Sequence, residues 1–292
     1  MSISESLGDV GRADVAGAGT IEYRARGDGP VVVFAHGVGV NGDLWRRVAP
    51  SVAAAGFRCV VPDLPLGAHS IPLSEQPDMS LPGLADILSG FLDALDLREV
   101  TLVANDTGGA ITQALIGRRP PRVARLVLTS CDAFDRYPPP AVAYLKPTAR
   151  VPGGLWALGQ AVRLKAVQRL PIAYGWATSK PIEPRIMESY TRPVRVNGGV
   201  RADLGRVLKQ ARKSDMQAAS RSVTAFEGPA IVVWAADDRF FPVEHGRALA
   251  DLMPHAEFEL VEGSRTFIAE DQPDELVRLV LRGARLGGRH PA

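Results

Sequence analysis

The stretch V-T-L-V-A-N-D-T-G-G-A, residues 100–110, decides the fold. An apolar, β-rich run ends in a turn of small residues, and a helical pattern begins at once. Asp106 stands at the apex of that turn. The pattern is G-x-S-x-G with Ala104 in place of the first glycine and Asp106 in place of the serine. A strand–turn–helix junction of this kind lifts one side chain clear of the sheet edge and presents it to a small molecule. A carboxylate there can attack carbon and form an ester. The bland use of the same residue is as a helix cap, because Asp suits a helix N-terminus.

Outward from the junction, strands and helices alternate. Residues 31–35 form a continuous apolar run, the mark of a strand buried on both faces. Further strands are expected at 20–25, 57–61, 100–105, 123–129, 231–235 and 258–261. Asn41 can cap a helix carrying Leu44, Trp45, Val48 and Val52, and Gly56 stops it. Ser80 can cap another through residue 95, with Leu84, Ile87, Leu88 and Leu92 on one face. Helices are also expected after Asp106 to about residue 116, at 243–253 and at 273–285. This rhythm predicts a doubly wound, mostly parallel α/β sheet.

Between Asp132 and Phe226 the rhythm breaks. Pro138 to Pro140 are followed by helical patches, one on Leu155, Leu158, Val162 and Val167, another on Leu204, Val207 and Leu208. The expected organisation is a core of residues 1–132 and 227–292 with a helical cap inserted at 133–226.

Composition narrows the function classes. The chain has 292 residues, 46% of them hydrophobic, with a net charge of +2. Only five of its 34 basic residues are Lys, and the arginines form no dense patch, so nucleic acid is not an expected partner. No apolar run of about 18 residues predicts a membrane span. Residues 1–19 are polar and Gly-rich, without the basic and apolar regions of a signal peptide. Cys59 and Cys131 read as buried thiols in a reducing cytoplasm rather than a disulfide. No ligand cluster such as H-E-x-x-H is present, so no metal or organic cofactor is expected. The expected partner is a small-molecule substrate, and the expected state a monomer or homodimer.

Four motifs in order resemble the α/β-hydrolase superfamily, over nearly the whole chain. They are His36-Gly37 after the 31–35 strand, P-D-L-P-L-G-A-H-S at 62–70, the turn at 104–109 and W-A-A-D-D-R-F-F-P at 234–242. The resemblance implies an α/β-hydrolase fold with a cap and places the triad acid at Asp238. Asp at the elbow makes the chain most similar to the haloalkane dehalogenases, fluoroacetate dehalogenases and epoxide hydrolases. In those families the Asp attacks an sp³ carbon, and a His oriented by the second acid activates water to cleave the ester. The resemblance also implies an oxyanion hole from the backbone N–H groups of Val38 and Thr107, with His36 and Gly37 supporting that loop.

Three departures matter. Val38-Gly39-Val40 follow His36-Gly37, where the dehalogenases carry Asn and the epoxide hydrolases a nearby Pro. Thr107 follows the elbow Asp, where many relatives carry a Trp that can hold a leaving halide. In V-E-G-S-R-T-F-I-A-E-D-Q-P, residues 261–273, Thr266 falls at the histidine position. A Thr hydroxyl is no base near neutral pH, and a general base is worth about 10²–10⁴ in rate. None of His36, His69, His245, His255 and His290 lies in the loop after the last predicted strand.

Asp132 follows the 123–129 strand, and strand C-termini line the cleft of this architecture. A second carboxylate near Asp106 would raise one of the two pKa values; the alternative is a solvated turn residue. Tyr137, Tyr144, Tyr174, Trp176 and Tyr190 are candidate pocket walls or helix packing. Gly37, Gly39 and Gly42 also spell G-x-G-x-x-G, with Asp63 after the next strand. That dinucleotide pattern is weak alone, and His36 with the elbow favours the oxyanion loop. The expected function is an α/β-hydrolase-like enzyme acting on a small, mostly apolar molecule through Asp106. Hydrolysis would be weak, specialised, or replaced by a lyase, isomerase or transfer step. The alternative is a ligand-binding protein that has kept the pocket and lost turnover.

Overall fold

The computed structural model describes residues 5–287. Eight strands form one sheet: β1 (Asp9–Val15), β2 (Gly19–Arg26), β3 (Val31–Ala35), β4 (Arg58–Pro62), β5 (Val100–Asp106), β6 (Val123–Cys131), β7 (Ala230–Ala235) and β8 (Ala256–Val261). Their order is β1-β2-β4-β3-β5-β6-β7-β8. β1 pairs antiparallel with β2 and β2 with β4, and all later pairs are parallel. The doubly wound, mostly parallel sheet is therefore as expected. The central strands are buried almost throughout, because helices cover both faces.

β1 was not expected. Its D-V-G-R-A-D-V has no apolar run, and only Ala13 and Val15 of it are buried. Its order comes from a seven-residue ladder to β2. The helix expected after Asn41 is two short pieces, a 3-10 turn at Gly42–Trp45 and a helix at Ala49–Ala54. Pro50 in the first turn of the second piece cannot donate backward, so a new helix starts there. Asn41 does cap the first piece, accepting from the Asp43 N–H at 3.1 Å. Ser80 caps the helix Leu81–Ala94.

Between β6 and β7 the described chain holds helices and no strand, chiefly Gly154–Ala161, Pro184–Val196, Gly198–Gln210 and Lys213–Ser222. The last packs on the helix after the elbow, where Ser220 Oγ donates to Gln113 Oε1 at 2.8 Å. Buried polar contacts fasten Pro184–Val196 and Gly198–Gln210 to the core. Ser189 Oγ donates to Asp43 Oδ2 at 2.5 Å; within the core, Arg46 forks onto Glu270 at 2.6 and 2.9 Å. His69 Nε2 meets Asp203 Oδ2 at 3.1 Å. Cys59 and Cys131 are both free and buried. Among the described residues, no helix is long and apolar enough to cross a membrane.

Candidate active site

β5 delivers Asp106 to the sheet's C-terminal edge, and the helix Thr107–Ile116 starts on the next residue. The reversal is sharp enough to hold Asp106 at φ 54° and ψ −131°. Small neighbours make it possible. A Cβ on Gly108 would lie 2.6 Å from the carbonyl oxygens of both Ala35 and His36. A Cβ on Gly37 would lie 2.6 Å from Asp106 Cγ. The turn after β3 and the elbow therefore touch through absent side chains.

The Thr107 N–H donates a short hydrogen bond to Asp106 Oδ1, and Thr107 Oγ1 lies 2.9 Å from the same oxygen. The Val38 N–H also bonds the carboxylate. The two amides of the expected oxyanion hole thus converge on Asp106 itself. Burial raises the Asp106 pKa and these donors pull it back. Thr107 Oγ1 also lies 3.1 Å from Asp132 Oδ2. Asp132 is 1% exposed, and its Oδ1 is buried without a hydrogen-bond partner. Burial first, then the Asp106 charge, push its pKa well above the carboxylate range. Gln113 Nε2 holds the Asp132 carbonyl at 2.8 Å.

Asp106, Thr107, Val38 and Asp132 open onto one cavity of about 190 Å³, much of whose wall is aliphatic or aromatic. Tyr137, Tyr144, Tyr174 and Tyr190 contribute to the wall. Trp176 does not; it packs edge-on against Phe240. Lys146 also lines the cavity, its Nζ donating to the Ala211 carbonyl at 2.6 Å. A lone Lys in a helical patch carries no sequence signal of such a place.

Asp238 and Thr266 meet as a pair. Thr266 Oγ1 donates to Asp238 Oδ1 at 2.8 Å, and the Phe240 and Phe241 N–H groups donate to the same oxygen, each at 2.9 Å. Burial pushes the Asp238 pKa up to about 6 against these donors. Thr266 is fully buried, its carbonyl accepting from Asn105 Nδ2 at 2.9 Å. Neither residue lines the cavity. The acid and the residue in the histidine position are thus in contact, but the structure does not bring them to Asp106's cavity.

His36 is fully buried beneath the loop. Its Nε2 accepts from the Leu64 N–H at 2.8 Å and its Nδ1 lies 2.9 Å from the Gly37 carbonyl. Burial lowers its pKa to about 4, so the ring is neutral, with the proton on Nδ1. No histidine lines the cavity among the described residues, and His290 lies outside them. Asp63 is buried and bonds the Gly42 N–H at 2.8 Å, holding the turn that carries the glycine pattern.

Comparisons with known proteins agree with this fold. The family model described as alpha/beta hydrolase fold matches residues 30–273. The chain is 30% identical over 259 residues to the non-heme chloroperoxidase CPO-A1 of Kitasatospora aureofaciens, covering 85% of this chain and 89% of that protein. It is 42% identical over 122 residues to a haloalkane dehalogenase of Mesorhizobium japonicum, covering 40% of this chain and 38% of that one. Among solved structures, an alpha/beta hydrolase fold protein from Burkholderia ambifaria superposes with a TM-score of 0.76 at 25% identity, covering 93% and 97% of the two chains.

Proposed function

The chain belongs to the alpha/beta hydrolase fold family, and from that premise we propose that it is an enzyme whose Asp106 attacks an sp³ carbon of a small, mostly apolar electrophile. The product of that step is an ester on Asp106. The observation that carries this reading is the Asp106 carboxylate, open to an apolar cavity and held by the Thr107 and Val38 amides. Those donors keep it an anion in a buried place, and a fixed anion facing bound substrate is an aimed nucleophile. When the ester carbonyl is attacked in turn, the same two amides are oriented for its oxyanion. The inserted helices between β6 and β7, within residues 133–226, act as the cap that supplies the apolar wall.

Hydrolysis of that ester is slow by family standards. The residue beside Asp238 is Thr266, which cannot deprotonate water and does not reach the cavity wall. The dehalogenase relative suggests alkyl halides as one electrophile class. Thr107 in place of an indole donor directs attention equally to strained cyclic ethers and lactones, whose leaving group is an oxygen. The test is intact-protein mass after exposure to alkyl bromides, epoxides and β-lactones, followed by peptide mapping. The expected result is one adduct on Asp106, lost in Asp106→Asn. A label elsewhere, or the same label in Asp106→Asn, excludes the reading.

A second reading, a binding protein without turnover, draws on the Asp238–Thr266 pair. The Thr266 hydroxyl is committed to Asp238 Oδ1, and neither residue lines the cavity. It predicts tight reversible binding of apolar ligands and no adduct with any electrophile class.

A further inference from the structure

Resting on the ester reading of Asp106, we propose that Asp132 is the acid–base residue of this site. Its carboxyl gives a proton to a leaving oxygen when Asp106 attacks, and its carboxylate then takes a proton from the water that hydrolyses the ester.

Asp106 Oδ1, Thr107 Oγ1 and Asp132 Oδ2 stand in a row, 2.9 and 3.1 Å apart. Two hydrogen bonds in that row need two protons, and a hydroxyl has one. The second belongs to a carboxyl. Asp106 already accepts the Thr107 amide on the oxygen in question and the Val38 amide besides, so it is the anion. Asp132 has no such donors, and its other oxygen is a buried orphan. The chain therefore runs from Asp132 O–H to Thr107 Oγ, and from Thr107 O–H to Asp106.

The resting charge on Asp106 helps keep that proton in place. Esterification removes the charge and with it part of the reason for Asp132 to stay neutral. The other titratable groups felt around Asp132 are the Cys131 thiol and the Tyr137 phenol. Burial raises both, so both stay neutral and neither replaces the lost anion. The other phenols are committed. Tyr174 donates to the Gly39 carbonyl at 2.6 Å, Tyr144 to that of Ile172 at 2.8 Å, and Tyr190 to Glu270 at 3.4 Å.

With a strained cyclic ether the steps balance. An Asp106 oxygen bonds to ring carbon, the ring C–O bond breaks, and the freed oxygen takes the Asp132 proton. Asp106 is now a neutral ester and Asp132 a carboxylate. Water gives a proton to Asp132 as its oxygen bonds to the Asp106 carbonyl carbon. The oxyanion faces the Val38 and Thr107 amides. Collapse breaks the acyl C–O bond, and the departing alkoxide takes the proton of the new Asp106 acid. Both carboxyls return to their starting states. An alkyl bromide leaves as an anion and takes no proton, so Asp132 first releases its proton to solvent and only then serves as the base of the second half.

The test uses 1,2-epoxybutane and 1-bromobutane on the full-length protein and on Asp132→Asn. The carboxamide is neutral and can still donate to Thr107 Oγ, so it preserves the resting hydrogen bonds. The ester loaded from the bromide should decay about 10²-fold more slowly in the variant. The ratio of epoxide to bromide loading should fall at least about tenfold. An Asp106 adduct that decays in the variant at the wild-type rate, with an unchanged loading ratio, overturns the role of Asp132 and leaves the ester reading standing. No Asp106 adduct from either probe removes the ester reading itself. A second measurement needs no variant. Decay of the wild-type ester should rise with pH and level off as one group ionises. Decay that stays first order in hydroxide throughout overturns the proposal.

Discussion

Asp106 occupies a backbone conformation, φ 54° and ψ −131°, that costs a non-glycine residue of order 1–3 kcal/mol. The molecule tolerates that cost because Gly37 and Gly108 let two turns close on the elbow. Gly37→Ala should therefore act on the site before it acts on the fold. Its Cβ would lie 2.6 Å from Asp106 Cγ, and one of the two must move. Displacing a reacting group by about an ångström costs about 10² in rate. Asp106 labelling by 1-bromobutane should fall by that factor, while the far-UV circular dichroism is kept. Labelling at the wild-type rate would mean that this approach is not what aims the carboxylate. At this scale the sequence was readable where chemistry lies along the chain. The elbow residue, the loop at His36 and the Thr at 266 all stand at fixed offsets from strand ends. What was not readable is contact through space. Nothing in the string says that the Thr107 hydroxyl stands between two carboxyls, or that Lys146 turns its stem into the cavity.

Among elements, the turn that ends at Arg46 and the short helix Ile268–Asp271 are joined by a buried ion pair. Arg46 and Glu270 have side chains 9% and 7% exposed and are joined by two hydrogen bonds. Removing one partner of such a pair leaves a buried charge without compensation, at about 3–5 kcal/mol. Glu270→Met should lower stability by about that much in urea unfolding. The double variant Arg46→Met with Glu270→Met should recover much of the loss. A single variant as stable as wild type would show the pair to be dispensable. Element boundaries were readable where period and caps agree, as at Ser80 and the strands β3 and β5. They failed where a local rule was outweighed. β1 has no apolar run and is ordered by its partner, and Pro50 splits one expected helix into two.

Over the whole molecule, buried titratable groups set opposing pH dependences. The neutral His36 ring has its pKa lowered to about 4 from 6.5. Below pH 6.5 the unfolded state binds the extra proton first. The stability from His36 is therefore complete above that pH and is lost as pH falls through about 4. The full term is about 3 kcal/mol. Asp63 and Asp238, pushed up to about 7 and about 6, act in the other direction. Their neutral forms favour the fold below pH 3.8, and that advantage is lost as pH rises through 6 to 7. His36→Gln can keep one acceptor and one donor but cannot titrate, so its acid branch should be flatter than wild type between pH 6.5 and 4. Parallel curves for the two proteins would assign the acid sensitivity elsewhere.

In the proposed function, this sheet and its inserted helices together present one carboxylate as a nucleophile. The most direct measurement is the fate of solvent oxygen when 1-bromobutane is consumed in H₂¹⁸O with enzyme in excess. Every reacted molecule should leave a mark on Asp106, either the butyl group or one heavy oxygen in its carboxyl, read from the peptide that carries it. Butanol holding all the heavy oxygen, beside an unmarked Asp106, would exclude attack by that carboxylate.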